Sequence, residues 1–104
     1  MRIAIGHEKS VPQAIEVADR AVDQVFKGLP VGCVEIVGQQ KEWSGPVMTF
    51  GLTARLGFVK YPMRGTVEVT DKQWIVDVDL MMFGKLLPDK THRAIEARWR
   101  ALLS

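Results

Sequence analysis

Three sets of apolar residues at alternate positions between Val47 and Leu80 constrain this chain more than any other feature. The first is Met48, Phe50, Leu52, Ala54, Leu56 and Phe58; the second is Met63, Val67 and Val69; the third is Trp74, Val76, Val78 and Leu80. Successive strand side chains point to opposite faces, so each comb belongs to one face, and together they predict an antiparallel meander with one apolar side. A loop at Thr70-Asp71-Lys72-Gln73 sets Val69 opposite Trp74, Val67 opposite Val76, Gly65 opposite Val78 and Met63 opposite Leu80. The same register pairs Arg64 with Asp79 and Thr66 with Asp77 on the polar face. A loop at Val59-Lys60-Tyr61-Pro62 sets Phe58 opposite Met63, Leu56 opposite Gly65, Ala54 opposite Val67 and Leu52 opposite Val69. A one-residue slip in either hairpin would turn a whole comb toward water.

Elements flanking the meander supply what covers its apolar side. Arg2 to Gly6, with Ile3 and Ile5 alternating, suits a short strand at a sheet edge. Ser10 and Gln13 stand at capping-box spacing, with Pro12 in the first turn, where its missing N–H leaves no bond unmade. Ile15, Ala18, Val22, Val25 and Leu29 then recur at helical intervals, while Glu16 with Arg20 and Asp23 with Lys27 fall at i,i+4 on the far side; Gly28 and Pro30 close the helix. Val31 to Val37 reads as the next strand, Gly38 as a bulge or strand end, and Ser44-Gly45-Pro46 as a turn into the combs. Met81 to Pro88 crosses to a last helix, opened by Pro88 or Asp89, with Ile95, Trp99 and Leu102 as its apolar stripe and Arg93, Glu96 and Arg100 facing water. The expected fold is a two-layer α+β sandwich, residues 1–104 as a single domain, with an N-terminal and a C-terminal helix packed on one face of the sheet.

Composition narrows the function classes. With 104 residues there is room for one core and not two. A formal charge of +2 and a pI near 8.9 fall short of the basic footprint that makes nucleic acid the default partner. The single cysteine, Cys33, cannot close an internal disulfide, which suits a reducing compartment. Charged residues break up the first ten positions before a signal-peptide core forms, and nothing approaches a membrane-spanning apolar run. The expected location is the cytoplasm of a bacterial-type cell.

Candidate chemistry is sparse. Asp77 and Asp79, two apart on a strand, could serve acid/base work or a hard cation, but the register assigns them to the solvent face, where nothing desolvates them. His7, His92, Glu8 and Cys33 lack the spacing of a zinc or iron site, and Cys33 has no basic neighbour to activate it. The dispersed glycines form no phosphate-binding turn. No catalytic residue, metal ligand or cofactor is assigned, and the chain is read as a non-enzyme. Lys85, Lys90, Arg93, Arg98 and Arg100 make the carboxyl end basic, interrupted by Asp89 and Glu96 and without an aromatic ladder for base stacking.

The feature left over is the run Leu80-Met81-Met82-Phe83 with Leu86 and Leu87. Four consecutive large apolar residues cannot all point one way on a strand, and methionine adapts to irregular apolar surfaces. Met81, Met82, Phe83, Leu86 and Leu87 are therefore the expected contact surface for an apolar partner, set against the plainer role of seating the last helix. Self-association through a sheet edge or this crossing is expected as well. Two alternatives belong to other classes: a small-ligand or isomerase-type protein with a cavity lined by Trp43, Phe50, Leu56, Trp74 and Trp99, and a nucleic-acid module using Arg55, Arg93, Arg98 and Arg100.

The order of these features resembles the small polyhydroxyalkanoic acid system proteins, a bacterial family encoded beside genes for polyester storage granules. The resemblance rests on Ile3-Ala4-Ile5 followed by His7 and an amphipathic helix, then on Trp43-Ser44-Gly45-Pro46-Val47-Met48-Thr49-Phe50. Arg64-Gly65-Thr66-Val67-Glu68-Val69, the strand from Trp74 to Leu80, the leucine-rich crossing and a terminal helix with Ile95 and Glu96 continue it. Val31 to Lys41 and Leu52 to Phe58 depart from the family pattern by their length. The resemblance implies an accessory protein of granule metabolism with no catalytic residues to carry over.

Overall fold

The computed structural model describes residues 1–25, 27, 34–80, 85 and 87–103. Its elements are β1 (Arg2–Gly6), α1 (Val11–Val25), β2 (Val34–Ser44), β3 (Val47–Leu56), β4 (Val59–Val69), β5 (Gln73–Asp79) and α2 (Asp89–Leu102). The five strands form one antiparallel sheet in the order β1-β5-β4-β3-β2, so the first strand pairs with the last and stands at an edge. Ile3, Met48, Phe50, Leu52, Ala54, Met63, Val67, Val69, Trp74, Val76 and Val78 are buried on the inward face. Both helices lie on that face: Trp99 of α2 packs its ring 5.8 Å from that of Phe50, and the Trp74 indole donates to the Ala14 carbonyl of α1 at 2.9 Å. The α+β sandwich read from the combs is the observed fold.

Local signals explain the ends of the elements. The Ser10 N–H donates to Gln13 Oε1 and the Gln13 N–H donates to Ser10 Oγ, both at 3.3 Å, which is the reciprocal box expected at the start of α1. The helix buries Ala14, Ala18, Ala21, Val22 and Val25, while Ile15 is only half-buried. The alanines explain this rotation of the expected stripe, because a side chain of one carbon lets the helix backbone approach until the Trp74 indole meets a main-chain carbonyl. Pro88 caps α2, which buries Thr91, Ile95 and Trp99; Leu102 is half-buried and Leu103, just past the helix, is buried. Leu29, Gly28, Pro30 and the segment 31–33, which includes Cys33, lie outside the described residues.

The β4–β5 ladder has the predicted register, with Val69 opposite Trp74, Val67 opposite Val76, Thr66 opposite Asp77 and Arg64 opposite Asp79. The β3–β4 ladder does not. Leu56 faces Val59, Leu52 faces Met63, Phe50 faces Gly65 and Met48 faces Val67, around a two-residue loop of Gly57 and Phe58. The physical reason is turn chemistry: the first central residue of such a loop needs a positive φ, and Gly57 has φ 64°. Pro62, expected in the loop, instead sits within β4 beyond the point where the β5 ladder begins, so the strand there can lack one N–H. Phe50 needs its glycine partner, since a Cβ on Gly65 would lie 2.6 Å from both Phe50 Cζ and the Asp77 carbonyl.

Strand β2 runs past Gly38 to Ser44, longer than the segment ending at Val37 that the sequence suggests. Gly38 marks a bulge: Ile36 faces Ala54, Gly38 faces Thr53, and Val37 is the extra residue. One inserted residue flips the phase of everything after it. Gln39, Lys41 and Trp43 therefore stand opposite Leu52, Phe50 and Met48, on the helix side of the sheet.

Candidate functional site

The β3–β4 hairpin ends in an apolar tip. Phe58 is fully exposed (106%), Val59 is 51% exposed and Leu56 39%, and the bulged Val37 on neighbouring β2 is 41% exposed. One residue behind the Leu56–Val59 pair, Arg55 faces Lys60 across the ladder, both exposed, and Arg55 is bridged to Glu35 of β2. Behind these, Tyr61 is half-buried and packs against the core. The order along the hairpin is thus apolar end, cationic pair, aromatic seat. A polar side chain at Phe58 would serve a two-residue turn equally well, so the fold gives no reason for a phenyl ring in water.

The opposite arrangement holds at the β4–β5 turn. Thr70 N–H donates to the Gln73 carbonyl at 2.9 Å, and the Thr70 hydroxyl accepts from the Lys72 and Gln73 N–H groups at 3.3 and 3.0 Å. His7 Nδ1 accepts from the Lys9 N–H at 3.0 Å, which leaves Nε2 to carry the proton it donates to the Thr70 carbonyl at 2.9 Å. The imidazole also lies 4.7 Å from the Trp74 ring. His7 is accordingly a brace between the β1–α1 connection and this turn.

A second brace fastens α1 to the outer strand. Trp43 Nε1 donates to Asp19 Oδ1 at 2.9 Å; Lys41 Nζ reaches Asp19 Oδ1 at 3.2 Å and Asp23 Oδ2 at 2.9 Å; Gln39 donates to Asp23 Oδ1 at 2.9 Å. Asp23 thus turns to β2 and not to Lys27. The Trp43 indole, helped by Lys41 and opposed by partial burial, holds the Asp19 carboxyl below its usual range. Partial burial opposes the charge of Lys41, but its bonds to Asp23 and Asp19 outweigh that and raise its pKa. Two open grooves flank α1, one of about 270 Å³ along Val17, Arg20, Ala21, Gln24 and Leu102, the other of about 420 Å³ over Asp23, Gln39 and Lys41.

Of the residues singled out in the sequence as a contact surface, Met81, Met82, Phe83 and Leu86 lie outside the described residues, and Leu87 is buried. Of the proposed cavity lining, Phe50, Trp74 and Trp99 belong to one packed core, Trp43 lies half-buried against it, and Leu56 stands apart at the hairpin tip. Asp77 and Asp79 are exposed on the sheet face away from the helices, with Thr66 and Arg64 opposite. Arg93 and Arg100 are exposed on α2, Arg98 is half-buried, and Arg100 pairs with Glu96 at 3.3 Å. Among the described residues no group of three His, Cys, Asp or Glu is placed to hold a metal ion, and no helix is long and apolar enough to cross a membrane. The tip was hidden in the sequence because Phe58 continues a period-2 comb; the available signal was Gly57 between two apolar runs. No family model, curated protein or solved structure matches the chain.

Proposed function

We propose that this chain is a non-enzymatic accessory protein that docks on an apolar partner or surface, and that the β3–β4 hairpin tip makes the contact. The observation that carries this reading is Phe58, fully exposed at the end of a hairpin with Leu56 and Val59 beside it. Removing a phenyl side chain from water is worth roughly 1.5–3 kcal/mol. The tip therefore has a standing driving force toward any surface that can cover it. The resemblance to polyhydroxyalkanoic acid system proteins names one such surface, a polyester particle in a bacterial cytoplasm. The tip is taken as the contact because its exposure is visible in the fold; of the Met81 to Leu87 crossing, Leu87 is buried and Met81, Met82, Phe83 and Leu86 lie outside the described residues.

The test is co-sedimentation of the purified protein with polyester particles. Wild type is expected to pellet with the particles, and Phe58→Ser to bind at least tenfold more weakly, in line with the loss of about 1.5 kcal/mol or more of burial. Equal binding by a folded Phe58→Ser variant contradicts the assignment of the surface, and failure of wild type to bind contradicts the polyester as its partner.

A further inference from the structure

The tip has a built order of chemistry that points to one class of surface. We propose that it is an interfacial anchor for anionic lipid, with Phe58, Leu56 and Val59 entering the acyl boundary and Lys60 meeting the headgroup phosphates. The inference rests on the reading of the tip as a contact surface and adds what it contacts.

Three observations carry it. The first is shape: Phe58 leads a two-residue turn at the end of strands of ten and eleven residues, in a molecule with a long axis of 43 Å. A projecting ring needs either a fitted pocket or a medium that deforms around it, and lipid deforms. The second is depth. Residues advance about 3.4 Å along an antiparallel strand, so the Arg55–Lys60 pair sits one such step behind the Leu56–Val59 pair. Apolar atoms foremost with cations a few ångströms behind matches the change from acyl chain to phosphate, and a lysine stem spans that distance easily. The third is charge. Glu35 answers Arg55, whereas Lys60 is exposed and makes no ion pair among the described residues, so the collar carries an uncompensated positive charge on a chain of net charge +2. The backbone sets the limit of entry, because the turn's own N–H and C=O groups require water at headgroup level. Only the tip enters.

Binding to sedimenting phosphatidylcholine vesicles, with and without phosphatidylglycerol, tests this directly. Wild type is expected to prefer the vesicles containing phosphatidylglycerol. Phe58→Ser is expected to lose about tenfold or more on both kinds, and Lys60→Gln to lose about fivefold on the anionic vesicles alone. A second variant reads insertion itself: the indole of Phe58→Trp is expected to be quenched by lipids brominated on the acyl chain, while Trp43, Trp74 and Trp99 of wild type serve as the shielded control. Binding to neither vesicle, an equal loss for Lys60→Gln on both, or no excess quenching in Phe58→Trp overturns the lipid assignment. If vesicles fail while polyester particles still capture the protein through Phe58, the lipid proposal falls and the docking reading stands; if both fail, both fall. A dimer of wild type that Phe58→Ser dissolves would make the tip an interface between copies and likewise overturn the lipid proposal.

Discussion

The two turns that bound β4 are built in opposite ways. At the β4–β5 end, Thr70 ties the loop to itself and His7 ties it to the start of α1, with the imidazole against Trp74. At the β3–β4 end, Gly57 supplies the backbone reversal, and the residue after it is a phenylalanine in open water. One turn spends its side chains on the fold. The other leaves its most hydrophobic side chain uncovered, in a chain that buries Phe50, Trp74 and Trp99 almost completely. The contrast separates what the architecture requires from what it merely displays, and Phe58 falls on the second side.

Substitutions at the braced turn should have the largest effects. His7→Ala removes both ring hydrogen bonds and the contact with Trp74, and leaves the Thr70 carbonyl and Lys9 N–H to find other partners; a loss of about 2–3 kcal/mol is expected in urea unfolding. Thr70→Val keeps the shape of the turn and deletes the hydroxyl that two N–H groups use, with about 1–2 kcal/mol lost in the same measurement. A smaller effect is expected at the bare turn from Gly57→Ala, which places a Cβ at φ 64° and costs about 1 kcal/mol, with no contact to blame since nothing lies within 4 Å of that Cβ.

The polar brace between α1 and β2 adds a pH-dependent case of similar size. Asp19 has a folded pKa below its ordinary 3.8, so its contribution is complete above that value and is lost as the pH falls through the folded pKa. Lys41 has a folded pKa above its ordinary 10.5, so its contribution is complete below that value and is lost as the pH rises past the folded pKa. Trp43→Phe deletes the indole donor and should cost about 1 kcal/mol between those limits. In thermal unfolding the gap between this variant and wild type should stay constant through neutral pH and shrink in acid as Asp19 takes up its proton. A gap that is unchanged in acid would mean that Trp43 contributes packing and not its bond to Asp19.

Much of the layered fold was legible because a comb on alternate residues fixes which face is buried. The Ser10–Gln13 box and the Thr70–Gln73 loop were legible too, since their chemistry is local. The β3–β4 register was not, for a definite reason: sliding one comb past another by an even number of residues keeps apolar opposite apolar. Parity alone cannot choose among such slips. The choice is made by the glycine at the turn and by size matching between Phe50 and Gly65, where one ring fills the space that a missing side chain leaves. The far half of β2 was hidden differently, because Gln39 and Lys41 look like a solvent-facing segment until the bulge at Gly38 and the carboxylates of Asp19 and Asp23 are in view. The candidate surface suffered most from the same ambiguity, since a comb that runs through Leu56 to Phe58 gives no sign of where the strand stops.

The most direct test of this account is urea unfolding of Phe58→Ser beside wild type. Because the Phe58 side chain is already in water, the two curves should coincide to within about 0.5 kcal/mol, as for a surface substitution away from any structural feature. A loss of about 2 kcal/mol or more, the size expected for removing a buried aromatic ring, would place Phe58 in the core and contradict the claim that the hairpin holds it out for a partner.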